Sequence, residues 1–493
     1  MRHIVFIVAL WLGTLGAPVA AQRVLTLEQT IDLATDSALE AFKNENLYLS
    51  GYWEYRSYRA NRLPSVTLDL TPANYNRGFV SRYDSETDMD FYGLQRSYSA
   101  SGALTIQQNL DILGGTFFVQ SGLQYLRYMG DYASNQFSAV PVSIGYQQDL
   151  LGYNPFKWEK KIEPLKYEKV KKEFLYNTEQ IAEQATSYFF ALAMAQADYD
   201  LAVKNKLAAD TLYAIGQRKF EITSITNDEL YTLELEKVNA YNTLRSAELE
   251  LKRAMFSLVT YLNLDPDTEL RLTLPTRTHA YQLTAEEALL MARENNPTYL
   301  QTRQDILEAE RDLDKTRRES MFQASFSASV GFNQAASNFR DAYRDPLRQD
   351  MVALSISIPI LDWGVRKGKY RMAKNNLSVI EISSRQSEVA VEQSVVMAVN
   401  DFNLQQELIL SAEYALELAE SAYAKTMTRF IEGNTDMNTL TLASNRKDEA
   451  NKNYISALEN YWLSYYQIRR LTLYDFVKGL SISHEFDQEL EAF

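Results

Sequence analysis

The chain has 493 residues, a formal net charge of −14 and no cysteine. That length exceeds what one hydrophobic core organises, so two domains or a repeated architecture is expected. The charge has the wrong sign for a general nucleic-acid binder, and the missing cysteine excludes disulfides, thiolate chemistry and a lipid-modified N-terminal cysteine.

Residues 1–21 carry Arg2, the mostly apolar run Ile4 to Leu15 and the small residues Val19-Ala20-Ala21, the layout of a secretory signal peptide cleaved after Ala21. The apolar run is too short to serve as a retained membrane anchor, and no later window predicts a membrane-spanning helix. From Leu25 a helical segment leads into strands over about 65–149, where Val66, Leu68 and Leu70, then Leu104 and Ile106, then Phe117, Val119, Leu123 and Tyr125, then Val140, Val142, Ile144 and Tyr146 recur at a period of two. We expect an outer loop at Pro72 to Tyr98 and a tight turn at Leu113-Gly114-Gly115.

Proline is missing from Leu165 to Asp265, and Ile181, Ala185, Tyr188, Leu192, Ala195 and Tyr199 step by fours and threes. This predicts a helical hairpin over about 157–262: a helix of about 60 residues, roughly 90 Å long, a turn and a returning helix. Its tip is expected near 216–228, with Gly216 ending the outgoing helix and Asn227 capping the returning one. A linker over 263–280 holds Pro266, Pro275 and a short β-like run from Leu270 to Leu274. The pattern then recurs in a second repeat, 281–478 after 22–262. It has a helix, strands over about 322–360 built on Phe322 to Phe332 and Val352 to Ile360, and a hairpin over about 363–472. Leu408, Ala412, Ala415, Ala419 and Ala422 form its predicted seam, and its tip is expected near 430–438 with Gly433 at the turn and Asn434 or Thr435 as cap. Residues 479–493 read as a solvated acidic tail.

Six strands per chain follow. Their alternation also fits a sandwich, but the consecutive up-down groups, the signal segment and the Ser, Gly, Gln and Thr faces favour a barrel with a watery lumen. A bilayer accepts strands only when every backbone group is paired, so other chains must complete that barrel. Trp363 and Gly364 beside Asp362, and Trp158 near Pro155, mark strand-to-helix corners.

Two internal matches carry the organisation. LTLEQTIDLA at Leu25 to Ala34 matches LTAEEALLMA at Leu283 to Ala292 with an offset of 258, and Phe220 to Leu230 shares its spacing with Phe430 to Leu440 with an offset of 210. With VSIGYQQDLLGYNPFKWEK after the first strand group, LSISIPILDWGVRKGKYRMA after the second and RFIEGNTDMNTLTLA at the second tip, the mature chain resembles the TolC-like outer-membrane efflux protein family over nearly its full length. That resemblance implies an α+β membrane protein: a homotrimer sharing one outer-membrane β-barrel, with a long periplasmic α-helical tunnel. It also implies a periplasmic adaptor (a membrane fusion protein) and an inner-membrane pump of the RND, ABC or MFS type. The chain is then a passive exit duct for efflux or type I secretion in a Gram-negative-type outer membrane, in contact with its lipid, with no cofactor and no nucleic acid.

Family members usually supply four strands per chain, so six is a departure implying about 18 strands per trimer instead of 12. The acidic constriction of the best-known member falls here on Thr439 and Leu442, which leaves Asp228 and Asp436, with Asn434 and Thr439, as candidates for the tunnel entrance. Gly216, Arg218, Lys219, Phe220, Arg429, Phe430 and Gly433 are the candidate adaptor-contacting tip residues. Asp228 and Asp436 equally suit helix N-termini, and the phenylalanines equally suit stapling of their own hairpins. His279 and His484 are too few and too far apart for a metal or nucleophile site, GVRKGK at Gly364 to Lys369 lacks phosphate-loop spacing, and Glu286-Glu287 lies on a polar helix face. No catalytic function is expected. The alternative is a periplasmic or surface coiled-coil adhesin or scaffold with a β head.

Overall fold

The computed structural model describes residues 23–84, 88–130, 133–222, 225–275, 281–432, 434–435, 437–484 and 486; the expected signal segment lies outside them. In chain order the elements are β1 (Arg23–Leu25), α1 (Leu27–Ser37), α2 (Leu39–Ala60), β2 (Ser65–Asp84), β3 (Met89–Leu110), β4 (Gly115–Met129) and β5 (Ser134–Asp149). There follow α3 (Pro155–Glu221), α4 (Asn227–Tyr261), β6 (Leu270–Leu272), α5 (Ala285–Asn295), α6 (Pro297–Glu319), β7 (Gln323–Ala336) and β8 (Leu347–Ser357). The chain ends with α7 (Val365–Ile431), α8 (Met437–Thr472), β9 (Tyr474–Asp475) and β10 (Leu480–Ser481). It divides into two compact units, 48–171 with 297–391, and the remaining segments. Each unit therefore draws on both halves of the sequence.

The unit of 48–171 and 297–391 is built on one antiparallel sheet in the order β2-β3-β4-β5-β7-β8. All six expected strands are present, each paired with its neighbour in sequence order. Strand alternation gives the sheet two unlike faces. One row across it reads Thr67, Thr105, Gln120, Ser143, Gly331 and Gln349, and the next reads Val66, Ile106, Val119, Ile144, Val330 and Asp350. At Gly331 a β-carbon would meet the carbonyl oxygen of Val142 at 2.7 Å and the Cα of Ser143 at 2.8 Å, so glycine permits the close strand approach beside the irregularity between Ala139 and Val142.

Two expectations about this sheet change. The stretch Pro72 to Tyr98 is a hairpin in which β2 and β3 stay paired out to Asp84 and Met89, beyond an irregularity between Thr71 and Asn74. Its residues mix aromatic, aliphatic and polar side chains, with Arg77 opposite Arg96 between Tyr75–Tyr98 and Phe79–Leu94, so a search for apolar alternation misses it. β8 stops at Ser357, before Ile358 and Ile360. The turn at Leu113-Gly114 is as expected, with Gly114 at φ 75°. So is the second corner, where Trp363 and Gly364 have φ 54° and 87° and the Asp362 carboxylate accepts from the backbone N–H of Gly364 at 3.0 Å and of Arg366 at 3.1 Å. Trp158 differs from Trp363: it lies inside α3, is 9% exposed, and donates to Asp314 Oδ2 at 3.1 Å.

In the other unit both halves start with the same device. Thr26 and Thr284, 258 apart, each form a capping box with the residue three further on, Gln29 and Glu287, at the head of 11-residue helices. β1 pairs in parallel with β6, so the residues before Leu27 are strand and the short linker strand has its partner. The α3 seam is buried at Ile181, Ala185, Leu192 and Ala195. The α7 seam splits: Ile409 is buried and Phe402 is 3% exposed, while Leu404 is 50%, Leu408 45% and Leu418 52% exposed. Leu408, Ala415 and Ala422 therefore face away from the hairpin's own interior. The first residues of the tail do not form a free solvated strand: Leu480 and Ser481 pair with Asp475 and Tyr474, Ser483 Oγ donates to Asn295 Oδ1 at 3.1 Å, and Phe486 packs on Phe174 at 5.3 Å. Its acidic residues Glu485, Asp487, Glu489 and Glu491 lie outside the described residues.

Candidate functional site

The two hairpin turns close against one another around a shared cavity of about 680 Å³, lined by Leu212, Ile215 and Leu233 from the first hairpin and Tyr423, Leu440 and Thr441 from the second. Gly216 does not end its helix, which continues to Glu221. It is buried, and Leu233 Cδ1 fills the space a β-carbon would take, so this glycine lets the returning helix come close. The returning helix is capped by Thr226 and not by Asn227. Thr226 donates its backbone N–H to Glu229 Oε2 at 2.7 Å, and its hydroxyl accepts from Glu229 N at 3.3 Å. The Thr226 N–H, bonded to the carboxylate, holds Glu229 below the usual carboxylate range. Asp228 sits exposed in the first turn of α4, where a negative charge suits the helix dipole.

At the second tip the Asn434 N–H donates to Arg429 O at 2.8 Å and Arg429 Nη2 donates back to Asn434 O at 3.4 Å. This six-to-one bond closes the C-terminal end of α7. Asn434 and Thr435 therefore finish the outgoing helix, and α8 starts only at Met437. Thr439 is exposed beside buried Leu440. Gly433 and Asp436 lie outside the described residues. Arg218, Lys219 and Arg429 occupy the last turns of their helices, where cations oppose the dipole's negative end. Phe220 is 37% exposed and Phe430 is half-buried. The structure thus brings Gly216, Lys219 and Leu440 to one cavity and leaves Arg218 and Asp228 on the solvent side.

Two further pairs follow the offset of 210. Lys237 Nζ lies 4.7 Å from the Tyr213 ring centre and Lys447 Nζ lies 4.5 Å from that of Tyr423, so each returning helix is clipped to its outgoing partner by a cation over an aromatic face. Extending the 210 match past the tip would have found them. Sequence reading also missed the clamp further along α8. Arg469 Nη2 donates to Glu179 Oε1 at 2.7 Å and Nη1 to Asp475 Oδ2 at 3.3 Å, while the Tyr465 hydroxyl donates to Asp475 Oδ2 at 2.8 Å. Burial pushes the Glu179 carboxyl up, against the opposing pull of Arg469. Arg470 repeats the motif with Glu183 at 2.8 Å.

The described residues thus present a six-stranded antiparallel sheet with one apolar and one polar face, and two long helical hairpins. Residues 288–472 match the family described as outer membrane efflux protein. Over 90–94% of its length the chain shares the fold of solved outer-membrane channels. The CmeC outer membrane channel of Campylobacter jejuni is 11% identical with a TM-score of 0.66, covering 94% of this chain and 88% of that one. The outer-membrane channel OprN is 15% identical with a TM-score of 0.63, covering 92% and 90%. The MtrE outer membrane channel of Neisseria gonorrhoeae, in its open state, is 14% identical with a TM-score of 0.59, covering 90% and 88%. No curated protein sequence matches. Similarity to the outer membrane efflux protein family is thus carried by residues 288–472, and the fold of these channels extends over 90–94% of the chain.

Proposed function

We propose that the protein is the outer-membrane exit duct of a tripartite efflux or type I secretion system, working as a homotrimer whose sheets join into one barrel. The observation that carries this reading is the open edge of the sheet. Among the described residues β2 and β8 each have a partner on one side only, and a bilayer tolerates no unpaired backbone edge. Three copies would close about 18 strands, leaving a wide polar lumen. The outward apolar stripes agree: Leu404, Leu408 and Leu418 on α7, and Tyr231, Leu235, Val238, Leu249 and Phe256 on α4, are about half exposed or more, which is the surface helices of a neighbouring copy would cover.

In this assembly the hairpin tips form the periplasmic entrance. Arg218, Lys219, Phe220, Arg429 and Phe430 offer the adaptor a cationic and aromatic surface, preorganised by the cap of Thr226 and the two lysine-tyrosine clips. Asp228 and Asp436 supply an acidic ring. Cargo is set by the inner-membrane pump, and the protein's part is passive conduction. The test is fractionation followed by electrophoresis without boiling. A trimer that resists SDS and recovers the monomer's mobility on heating, found in outer-membrane fractions, is expected. A wholly periplasmic monomer would overturn the assignment.

A further inference from the structure

Three arginines share the apolar face of the sheet at one level. Arg77 on β2 and Arg96 on β3 are direct cross-strand partners, and Arg127 on β4 pairs with Tyr98, one same-face position from Arg96. Alternation along β3 puts Arg96 on the face of Leu104 and Ile106, and along β4 it puts Arg127 on the face of Val119 and Leu123. All three are exposed, and among the described residues none has an acidic partner. Arg348, further along the same face, is answered by Asp350 at 3.0 Å. Two like charges directly opposite one another on a sheet repel, so this arrangement calls for an anion from outside the chain.

The level at which they sit says which anion. Immediately inside them runs an aromatic row: Tyr75 opposite Tyr98, Tyr98 6.3 Å from Tyr125, Tyr125 4.9 Å from Phe137, and Phe137 6.2 Å from Phe339. Such a row marks the boundary between hydrocarbon and headgroups in an outer-membrane barrel. Eight residues back along β4, Phe117 lies opposite Tyr146, so the two aromatic levels are roughly 20 Å apart once strand tilt is allowed for, close to the height of an apolar barrel band. The tight turn at Leu113-Gly114 and the helices lie on the inner side, which places the arginines at the outer surface.

We propose that Arg77, Arg96 and Arg127 bind the phosphate of a lipid headgroup in the outer leaflet. A planar guanidinium fork matches phosphate oxygens bidentately, and three forks within neighbouring strand spacings provide a site that scattered lysines would not. The proposal rests on the outer-membrane reading for its orientation.

The test uses full-length protein in neutral detergent, titrated with a bisphosphorylated diglucosamine glycolipid and with its fully dephosphorylated form. The wild type should retain the phosphorylated lipid in native mass spectra and bind it more weakly as salt rises. Arg77→Ala/Arg96→Ala/Arg127→Ala should weaken binding about tenfold or more, whereas Arg344→Ala, an exposed arginine off this row, should match the wild type. If the triple variant does not fold, Arg127→Ala alone decides, with a loss of about threefold expected. Equal binding by wild type and variant, or equal binding of the dephosphorylated lipid, overturns the proposal. Because the titration is done in detergent, a protein fractionating outside the outer membrane would overturn the duct reading by a separate result.

Discussion

Replacing Arg469 by alanine tests whether the buried clamp fastens α8 to α3. Glu179 is 5% exposed and takes its hydrogen bond from Arg469 at 2.7 Å; Asp475, 3% exposed, takes another at 3.3 Å. Truncating one partner of a buried ion pair leaves the other charge uncompensated and costs about 3–5 kcal/mol. The pH dependence gives this loss a signature. Burial already raises the Glu179 carboxyl above its unfolded value, so the folded state binds its proton more readily. That contribution favours folding at low pH and is lost as pH rises through the raised value. Without Arg469 the carboxyl rises further. The deficit of Arg469→Ala should therefore be largest near neutrality and shrink as the solution is acidified toward the range where Glu179 takes up a proton. Urea unfolding in detergent, followed by helical circular dichroism, reads both. Arg469→Met/Glu179→Met, which removes the Glu179 charge together with its partner, should recover the share of the loss due to Glu179 and leave the share due to Asp475, which keeps its bond from Tyr465. A deficit below about 1 kcal/mol, or one equal at neutral and acid pH, would refute the reasoning.

Thr226→Ala removes the cap of α4 and should cost about 1 kcal/mol locally, seen as faster amide hydrogen exchange over 227–232 with no change near Leu258, which is fully buried. Under the duct reading, Asp228→Ala with Asp436→Ala should weaken block of single channels by multivalent cations in planar bilayers; unchanged block would remove the acidic ring.

The strands were legible because a period of two over Phe322 to Phe332 or Val66 to Leu70 leaves one face apolar whatever the strand packs against. The match of Leu25 to Ala34 with Leu283 to Ala292 was legible at its constant offset of 258, while the capping boxes that Thr26 and Thr284 form within it came from the structure. The tip positions were located to within a few residues, but which residue caps and which glycine turns depended on where the two helices touch: Gly216 proved to be a point of close contact, and Thr226 accepted the hydrogen bond expected of Asn227. β6 fell within the β-like run read from Leu270 to Leu274, whereas β1, three residues long, is too short to carry any period. The hairpin beyond Pro72 went unread because the irregularity between Thr71 and Asn74 shifts its phase and Arg77 and Arg96 interrupt its apolar face.

Composition and periodicity together determined the inventory: six strands with unlike faces, two long helical hairpins, and tips bearing Phe220 and Phe430 in matching settings. These are properties of a residue and its near neighbours along the chain, set by sterics and by the partition of apolar groups away from water. Tertiary structure decided direction. A heptad stripe is the same string of letters whether it meets its own hairpin or a neighbouring chain, and only the packed chain separates buried Ile409 from exposed Leu408. Arg77, Arg96 and Arg127 likewise lie 19 and 31 residues apart in sequence, and it is the register of three strands that puts their charges side by side.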